Sequence, residues 1–112
     1  PGTIKVVTDL KNNALYMSRQ LIPNKPGNDF SSIAAIKQVC VIPFRRDSLL
    51  KFPTLDPTPL EIAESVDMMR FIENGIQVHM VPTSFDTQAV DTPEDLARVE
   101  ALMREDPLMQ SY

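Results

Sequence analysis

Apolar and polar positions alternate at the start of the chain and fall into a helical rhythm later. Ile4 to Thr8 is β-branched and apolar apart from Lys5, and Leu15, Met17 and Leu21 alternate with Tyr16 and Ser18. A period of two marks a half-buried strand. Asn12 and Asn13 lie between the two runs, and asparagine tolerates the positive φ of a tight turn. Residues 4 to 21 therefore read as a β-hairpin. Arg19 falls on the otherwise apolar Leu15/Met17 face, so its cation needs a partner or a cleft. "PNKPGNDFSS" is a loop by its turn-forming residues. "IAAIKQVCVIPF" is the next strand. Its centre, Val39 to Ile42, is apolar on both faces, the pattern of an interior strand. Lys37 and Gln38 are the polar exceptions at its entrance.

Helical spacing takes over after residue 45. "RRDSLLKF" predicts a short helix capped by Asp47. "PTPLEIAESVDMMRFIENG" predicts one longer helix: Thr58 caps it, Pro59 takes the first helical position, Glu61 completes a capping box and Gly75 ends it. Ile62, Val66 and Met69 recur at i, i+4 and i+7, with Ala63 and Ile72 widening the stripe. Glu61, Glu64 and Met68 share another face, with Asp67 beside it. "IQVHMV" reads as a short strand and "PTSFDTQAV" as a loop. A final helix is expected from Pro93 to about Arg104, burying Leu96, Val99, Leu102 and Met103. The order is β-hairpin, β, α, β, α, a mixed α/β sheet with a β-hairpin and two main helices, in which a right-handed crossover is permitted.

At 112 residues the chain is the size of one domain, and 43% apolar residues are enough for a core. The net charge is −4 and no basic run exists, so no nucleic-acid footprint is present. No apolar run approaches the length of a bilayer span. One cysteine, Cys40, and one histidine, His79, exclude an intrachain disulfide and a Cys/His zinc site within this chain. Both lie in apolar runs, where a cysteine is inert packing rather than half of a nucleophile pair. The chain opens at Pro1 almost directly into a strand, which suggests a piece of a longer protein.

Several polar residues carry a possible chemistry. Arg19 is either an edge-strand cation or a fork for a carboxylate or phosphate. Gln38 satisfies a buried backbone group or reads a ligand's hydroxyls. Glu61, Glu64 and Asp67 form either a solvated helix face or a hydrogen-bonding wall for a polyhydroxylated ligand. "TPLE" at 58 and "TPED" at 92 both begin with helix-capping chemistry. That accounts for Thr92, Pro93 and Asp95. Asp91, just ahead of the cap and close to the positive helix end, is suited to remain an anion. A single carboxylate of this kind can help hold Mg²⁺ together with waters and phosphates. No phosphate loop, dinucleotide fingerprint or Ser-His-Asp arrangement is present.

"IKVVTDLKNNALYMSRQLIP", "TPLEIAESVDMMRFIENGIQVHMV" and "AVDTPEDLARV" follow one another in an order and spacing that resembles the C-terminal half of the 3-deoxy-manno-octulosonate cytidylyltransferases. The resemblance spans nearly all of the chain except the loop at 24 to 33 and the tail. It implies a Rossmann-like α/β nucleotidyltransferase, with residues 1–112 as a single piece of that domain. Within it, about 4–44 would be a hairpin and dimerisation region and about 45–106 a C-terminal α/β part. It further implies a cytoplasmic, Mg²⁺-dependent homodimer that couples CTP to a 3-deoxy-2-keto sugar acid and releases pyrophosphate. By the same resemblance Asp91 is a Mg²⁺ ligand. Arg19 matches the arginine of the "SR" pair, and Glu61 and Glu64 match the two glutamates of "LE-x-x-E" near the sugar. Other positions depart from the family: Gln38 stands for a histidine, Ile42 for a tyrosine and Met68 for a glutamine. A site built to bond hydroxyls rejects ligands that lack them, so these changes point to a modified or different sugar acid. The nucleotide-binding half of the family is absent, so the 112 residues alone are expected to be inactive and to self-associate through exposed sheet edges. A non-catalytic dimerisation or binding module is the alternative.

Overall fold

The computed structural model describes residues 3–24, 36–84 and 87–111. It divides into two compact units, Pro1–Pro82 and Thr83–Tyr112. In the first unit, β1 (Lys5–Thr8) and β2 (Ala14–Ser18) form the expected antiparallel hairpin, with Val6 opposite Met17 and Lys5 opposite Ser18. Asn12 holds the turn at φ 63°. Asp9, which the pattern did not single out, ties the turn together: its carboxylate accepts from the amides of Lys11 and Asn13 and from Asn13 Nδ2, all at 2.8–2.9 Å. These bonds hold the Asp9 carboxyl below the ordinary aspartate range.

The third strand is much shorter than expected. β3 is Ile36–Lys37 and pairs antiparallel with β1, giving the order β2-β1-β3. The ladder ends where Gln38 N donates to Ile4 O at 2.9 Å. Cys40 is exposed and Val41 is 80% exposed, so the segment from Val39 to Ile42 is not an interior strand. An apolar run specifies burial only where a neighbouring strand continues beside it, and among the described residues the pairing with β1 stops at Gln38. The predicted loop at 23–32 lies mostly outside the described residues, as do Ile33 to Ala35 at the start of the predicted strand. "IQVHMV" forms only a single antiparallel bridge, His79 to Asn13, flanked by Ala14 N to Val78 O and Met80 N to Asn12 O.

α1 is Arg46–Lys51; Arg45 is its N-cap, and Asp47 sits inside its first turn rather than capping it. The predicted long helix is two helices, α2 (Pro59–Glu64) and α3 (Met68–Glu73). The break is at Ser65, which takes the left-handed conformation at φ 54°. Serine carries no strong helix-breaking signal, so the stripe at i, i+4 and i+7 predicts one continuous helix across it. The fold consequently turns Ile62 outward, 70% exposed, and buries Glu61, Met68 and Phe71. α3 does end at Gly75 as expected: φ is 69°, Ile76 N bonds Phe71 O and Gly75 N bonds Ile72 O, the paired bonds of a Schellman motif.

The core of this unit joins Val6, Ala14 and Met17 of the hairpin to Val66, Met68, Met69 and Phe71. Phe52 and Phe44 tilt against Phe71 at 5.2 and 6.1 Å. α2 and α3 lie along the outer edge of β2. The Met17 amide there meets Met69 Sδ at 3.4 Å, and the Arg19 amide meets Glu64 Oε2 at 3.1 Å. An edge amide left open would invite strand pairing, and these contacts cover two of them. Strict alternation in β2 is broken as a result: Met17 and its neighbour Ser18 are both buried, while Leu15 is exposed.

In the second unit, α4 runs Pro93–Glu105, close to the predicted limits, behind the Thr92 cap. None of its residues is buried: Leu96, Leu102 and Met103 remain about half exposed, against the expected apolar seat.

Candidate active site

Of the six polar residues singled out above, Arg19, Gln38, Glu61, Glu64 and Asp67 lie in the first unit and Asp91 in the second. Glu64, at the end of α2, faces the hairpin. Its Oε1 accepts from the Tyr16 hydroxyl at 2.8 Å, and its Oε2 accepts from Ser18 Oγ at 2.9 Å and from the Arg19 amide at 3.1 Å. Burial pushes against ionisation, but the bonds from Tyr16, Ser18 and the Arg19 amide, with the Arg19 charge, outweigh it and hold the carboxyl below the ordinary glutamate range. The same bond raises the Tyr16 hydroxyl above its ordinary value. Arg19 donates from Nε to Glu64 O and from Nη2 to Ser65 O, both at 3.0 Å. Lys5 Nζ donates to Arg19 O at 2.9 Å. Arg19 and Glu64 therefore form one cluster, as the spacing between "SR" and "LEIAE" could not reveal. Tyr16, Ser18 and Lys5 also belong to it; their roles are not legible in the sequence because each acts through a neighbour rather than as a motif.

Glu61 belongs to a different network. Arg70 grips it with Nε to Oε2 at 2.7 Å and Nη2 to Oε1 at 2.5 Å, a two-pronged ion pair, and the Thr58 amide donates to Oε2 at 3.1 Å. The Arg70 bonds hold Glu61 below the ordinary glutamate range against the cost of burial. Arg70 Nη1 also reaches Leu55 O at 3.2 Å, and its guanidinium lies 4.3 Å over the Phe52 ring. Buried and fully engaged, Glu61 anchors the fold at this position rather than presenting a carboxylate to a ligand. Thr58 Oγ1 makes no hydrogen bond among the described residues; the amides of Leu60 and Glu61 are taken instead by the Glu73 carboxylate at 3.1–3.3 Å.

Gln38 is half-buried, just past the end of β3, and its buried Oε1 has no hydrogen-bond partner among the described residues. A buried carbonyl oxygen without a donor is costly, and a ligand hydroxyl would satisfy it. Of the positions that depart from the family pattern, Met68 packs in the core and Ile42 is partly exposed. Asp67 is exposed. His79 Nδ1 pairs with Asn13 Oδ1 at 3.1 Å, so the histidine serves the hairpin turn.

Asp91 stands in the second unit, exposed, directly ahead of α4. The helix start beside it is closed: the Asp95 amide donates to Thr92 Oγ1 at 3.1 Å, and Thr92 N and Oγ1 donate to Asp95 Oδ2 at 3.2 and 2.9 Å. The Asp91 amide also points to the Asp95 carboxylate, and these bonds, led by the one from the Thr92 side chain, hold Asp95 below the ordinary aspartate range. Asp95 thus occupies the cap, while the Asp91 carboxylate makes no hydrogen bond or ion pair among the described residues. That is the donor chemistry of one Mg²⁺ ligand. Among the described residues no group of three or more His, Cys, Asp or Glu side chains gathers to form a complete cation site.

No family model matches the chain. It is 43% identical over 108 residues to the 3-deoxy-manno-octulosonate cytidylyltransferase of Geobacter metallireducens, covering 88% of this chain and 42% of that protein. Against the enzyme of the same name from Chloroherpeton thalassium it is 41% identical over 103 residues, covering 92% of this chain and 42% of that one. The chain thus spans about two-fifths of the length of the curated relatives it matches. A solved structure of CMP:2-keto-3-deoxy-manno-octonic acid synthetase complexed with CTP superposes on 94% of this chain and 43% of its own, with a TM-score of 0.83 and 33% identity. By sequence and by fold, the chain is related to the C-terminal part of the 3-deoxy-manno-octulosonate cytidylyltransferases.

Proposed function

We propose that this chain forms the sugar-acid side of a CTP-dependent cytidylyltransferase, which joins CMP to a 3-deoxy-2-keto sugar acid and releases pyrophosphate. The observation that carries the reading is the likeness to a CTP-bound synthetase over nearly the whole chain. On this reading Arg19 meets the acid's carboxylate, a pairing suited to a guanidinium fork. Gln38 Oε1 accepts from a sugar hydroxyl. Glu61 acts at a distance, through Arg70, as part of the frame. Asp91 is one of the groups that would hold Mg²⁺, an ion that orients the attacking oxygen and offsets the charge of the triphosphate. The protein works as a cytoplasmic homodimer in the biosynthesis of lipopolysaccharide.

The test is to incubate the complete gene product with CTP, Mg²⁺ and a panel of 3-deoxy sugar acids, and to follow the phosphodiester of a CMP-sugar by phosphorus NMR. A product with at least one acid is expected, and, given Gln38, Ile42 and Met68, with a variant acid in preference to the unmodified octulosonate. Efficient turnover of the unmodified acid would overturn the variant-sugar part, and no product with any acid would overturn the whole. A second reading, a dimerisation or binding module without catalysis, draws on the exposed apolar side chains Val41, Leu49 and Leu50, and the same assay decides against it if product forms.

A further inference from the structure

A run of three side chains joins the hairpin turn to the segment after α3. Residues 12–14 lie antiparallel to 78–80. Ala14 N donates to Val78 O at 2.8 Å and Met80 N to Asn12 O at 2.7 Å, on either side of the Asn13–His79 bridge. Beside these backbone bonds, Asn13 Nδ2 donates to Asp9 Oδ2 at 2.9 Å, and Asn13 Oδ1 lies 3.1 Å from His79 Nδ1. Asn13 is buried and His79 exposed.

The donors and acceptors of this run follow one from another. The Asn13 side chain, more than any other group, holds Asp9 below the ordinary aspartate range, so near neutral pH its carboxylate is ionised and can only accept. The Asn13 amide must therefore turn its NH₂ towards Asp9. That leaves Oδ1, an acceptor, for the histidine. An acceptor at hydrogen-bond distance from Nδ1 requires the ring proton to be on Nδ1. The alternative would bury the Asn13 carbonyl oxygen without this donor, which is costly. Nε2 has no partner among the described residues.

We infer that Asp9 and Asn13 fix His79 in its Nδ1–H form, making it a latch between the hairpin turn and the 76–80 segment that stays shut whether the ring is neutral or charged. A histidine works as a pH switch when titration gives it a partner or takes one away. Here the proton that comes and goes is on Nε2, the nitrogen that holds nothing, while Nδ1–H donates in both states. The charged groups of the turn are Asp9, which faces the ring through Asn13, and Lys11, and residues 74–82 contain no titratable group besides His79. In the neutral ring Nε2 is left as the acceptor.

The experiment uses the complete gene product with ¹⁵N in its histidine rings, and His79→Asn identifies the His79 signals. In the neutral ring the protonated shift belongs to Nδ1 and the unprotonated one to Nε2. Asn13→Ala, which removes the acceptor, moves the ring to a mixture of both forms. A second arm follows hydrogen exchange at the Ala14 and Met80 amides. An asparagine side chain places its nitrogen where histidine has Nδ1, and a glutamine places it nearer Nε2. His79→Asn therefore keeps the protection of the two amides, while His79→Gln lowers it about tenfold or more. In the wild type their protection factors are unchanged between about pH 5 and about pH 8, across the histidine range. The inference is overturned by a neutral ring with its proton on Nε2, by His79→Gln protecting these amides as well as His79→Asn does, or by protection that changes as the histidine titrates. Should Asn13→Ala fail to fold, the ring shifts and the pH comparison in the wild type decide the matter.

Discussion

The two Thr-Pro helix starts have the same lettering and different fates. At Thr92 the box is closed locally. Hydroxyl, amide and Asp95 carboxylate satisfy one another, and the helix that follows buries no residue. At Thr58 the box is only half formed. Glu61 still takes the Thr58 amide, but its carboxylate is gripped by Arg70, and Glu73 has taken over the first amides of α2. In a continuous helix Glu61 and Arg70 would lie about 13 Å apart along the axis and on opposite faces. They meet only because the chain breaks at Ser65 and folds back. A capping motif therefore names a helix start, while the tertiary partners within reach decide what its acid does. The residue ahead of the cap differs as well: Pro57 precedes Thr58, whereas Asp91 precedes Thr92 and its carboxylate makes no hydrogen bond or ion pair among the described residues.

Substitutions can test this contrast, beginning with the largest expected effect. Glu61→Gln replaces a charge-assisted, two-pronged pair with a neutral amide and should destabilise the first unit by about 2 kcal/mol in urea unfolding. Asp95→Asn, its counterpart on an exposed cap, should be far milder. A reversed order would mean that the Arg70 network does not hold α2 in place. Next, Thr92→Ala should cost about 1 kcal/mol, whereas Thr58→Ala, which removes a hydroxyl without a partner, should cost only a few tenths. Equal losses would show that Thr58 caps in solution after all. The smallest effect is the pH dependence of the first unit. Glu61 and Glu64 both titrate below the ordinary glutamate value when folded. The unfolded chain therefore binds more protons than the folded one in the acidic range. Their contribution is complete above the unfolded glutamate value, about 4.3, and is lost as pH falls through the lower folded values. Thermal scans from pH 7 to pH 3 should show Tm falling below about pH 4.5, with a shallower fall in Glu61→Gln and in Glu64→Gln; parallel curves for all three would contradict it.

Legibility in the sequence followed the range of the interactions. The hairpin turn, the start of α4 and the Gly75 stop were readable because Asn12, Thr92 with Pro93, and Gly75 act on their immediate neighbours. The break at Ser65 was not, because it depends on Arg19, 46 residues away in the chain. For the same reason Glu61 and Glu64, three residues apart, looked like one polar wall and belong to two networks. The central strand is shorter than its apolar run predicts because such a run signals burial without saying what would cover it. The proposed function class rests on the family resemblance, which no spacing in this chain could have supplied.

The most direct measurement is Mg²⁺-dependent pyrophosphate release by the complete gene product, wild type beside Asp91→Asn, with Thr92→Ala as the capping control. The account predicts release only when CTP, Mg²⁺ and a 3-deoxy sugar acid are all present, and a loss of about a hundredfold or more in Asp91→Asn at nearly unchanged Tm. Thr92→Ala should instead lower Tm and keep most of its activity. Asp91→Asn turning over like the wild type, or losing stability in place of activity, would contradict it.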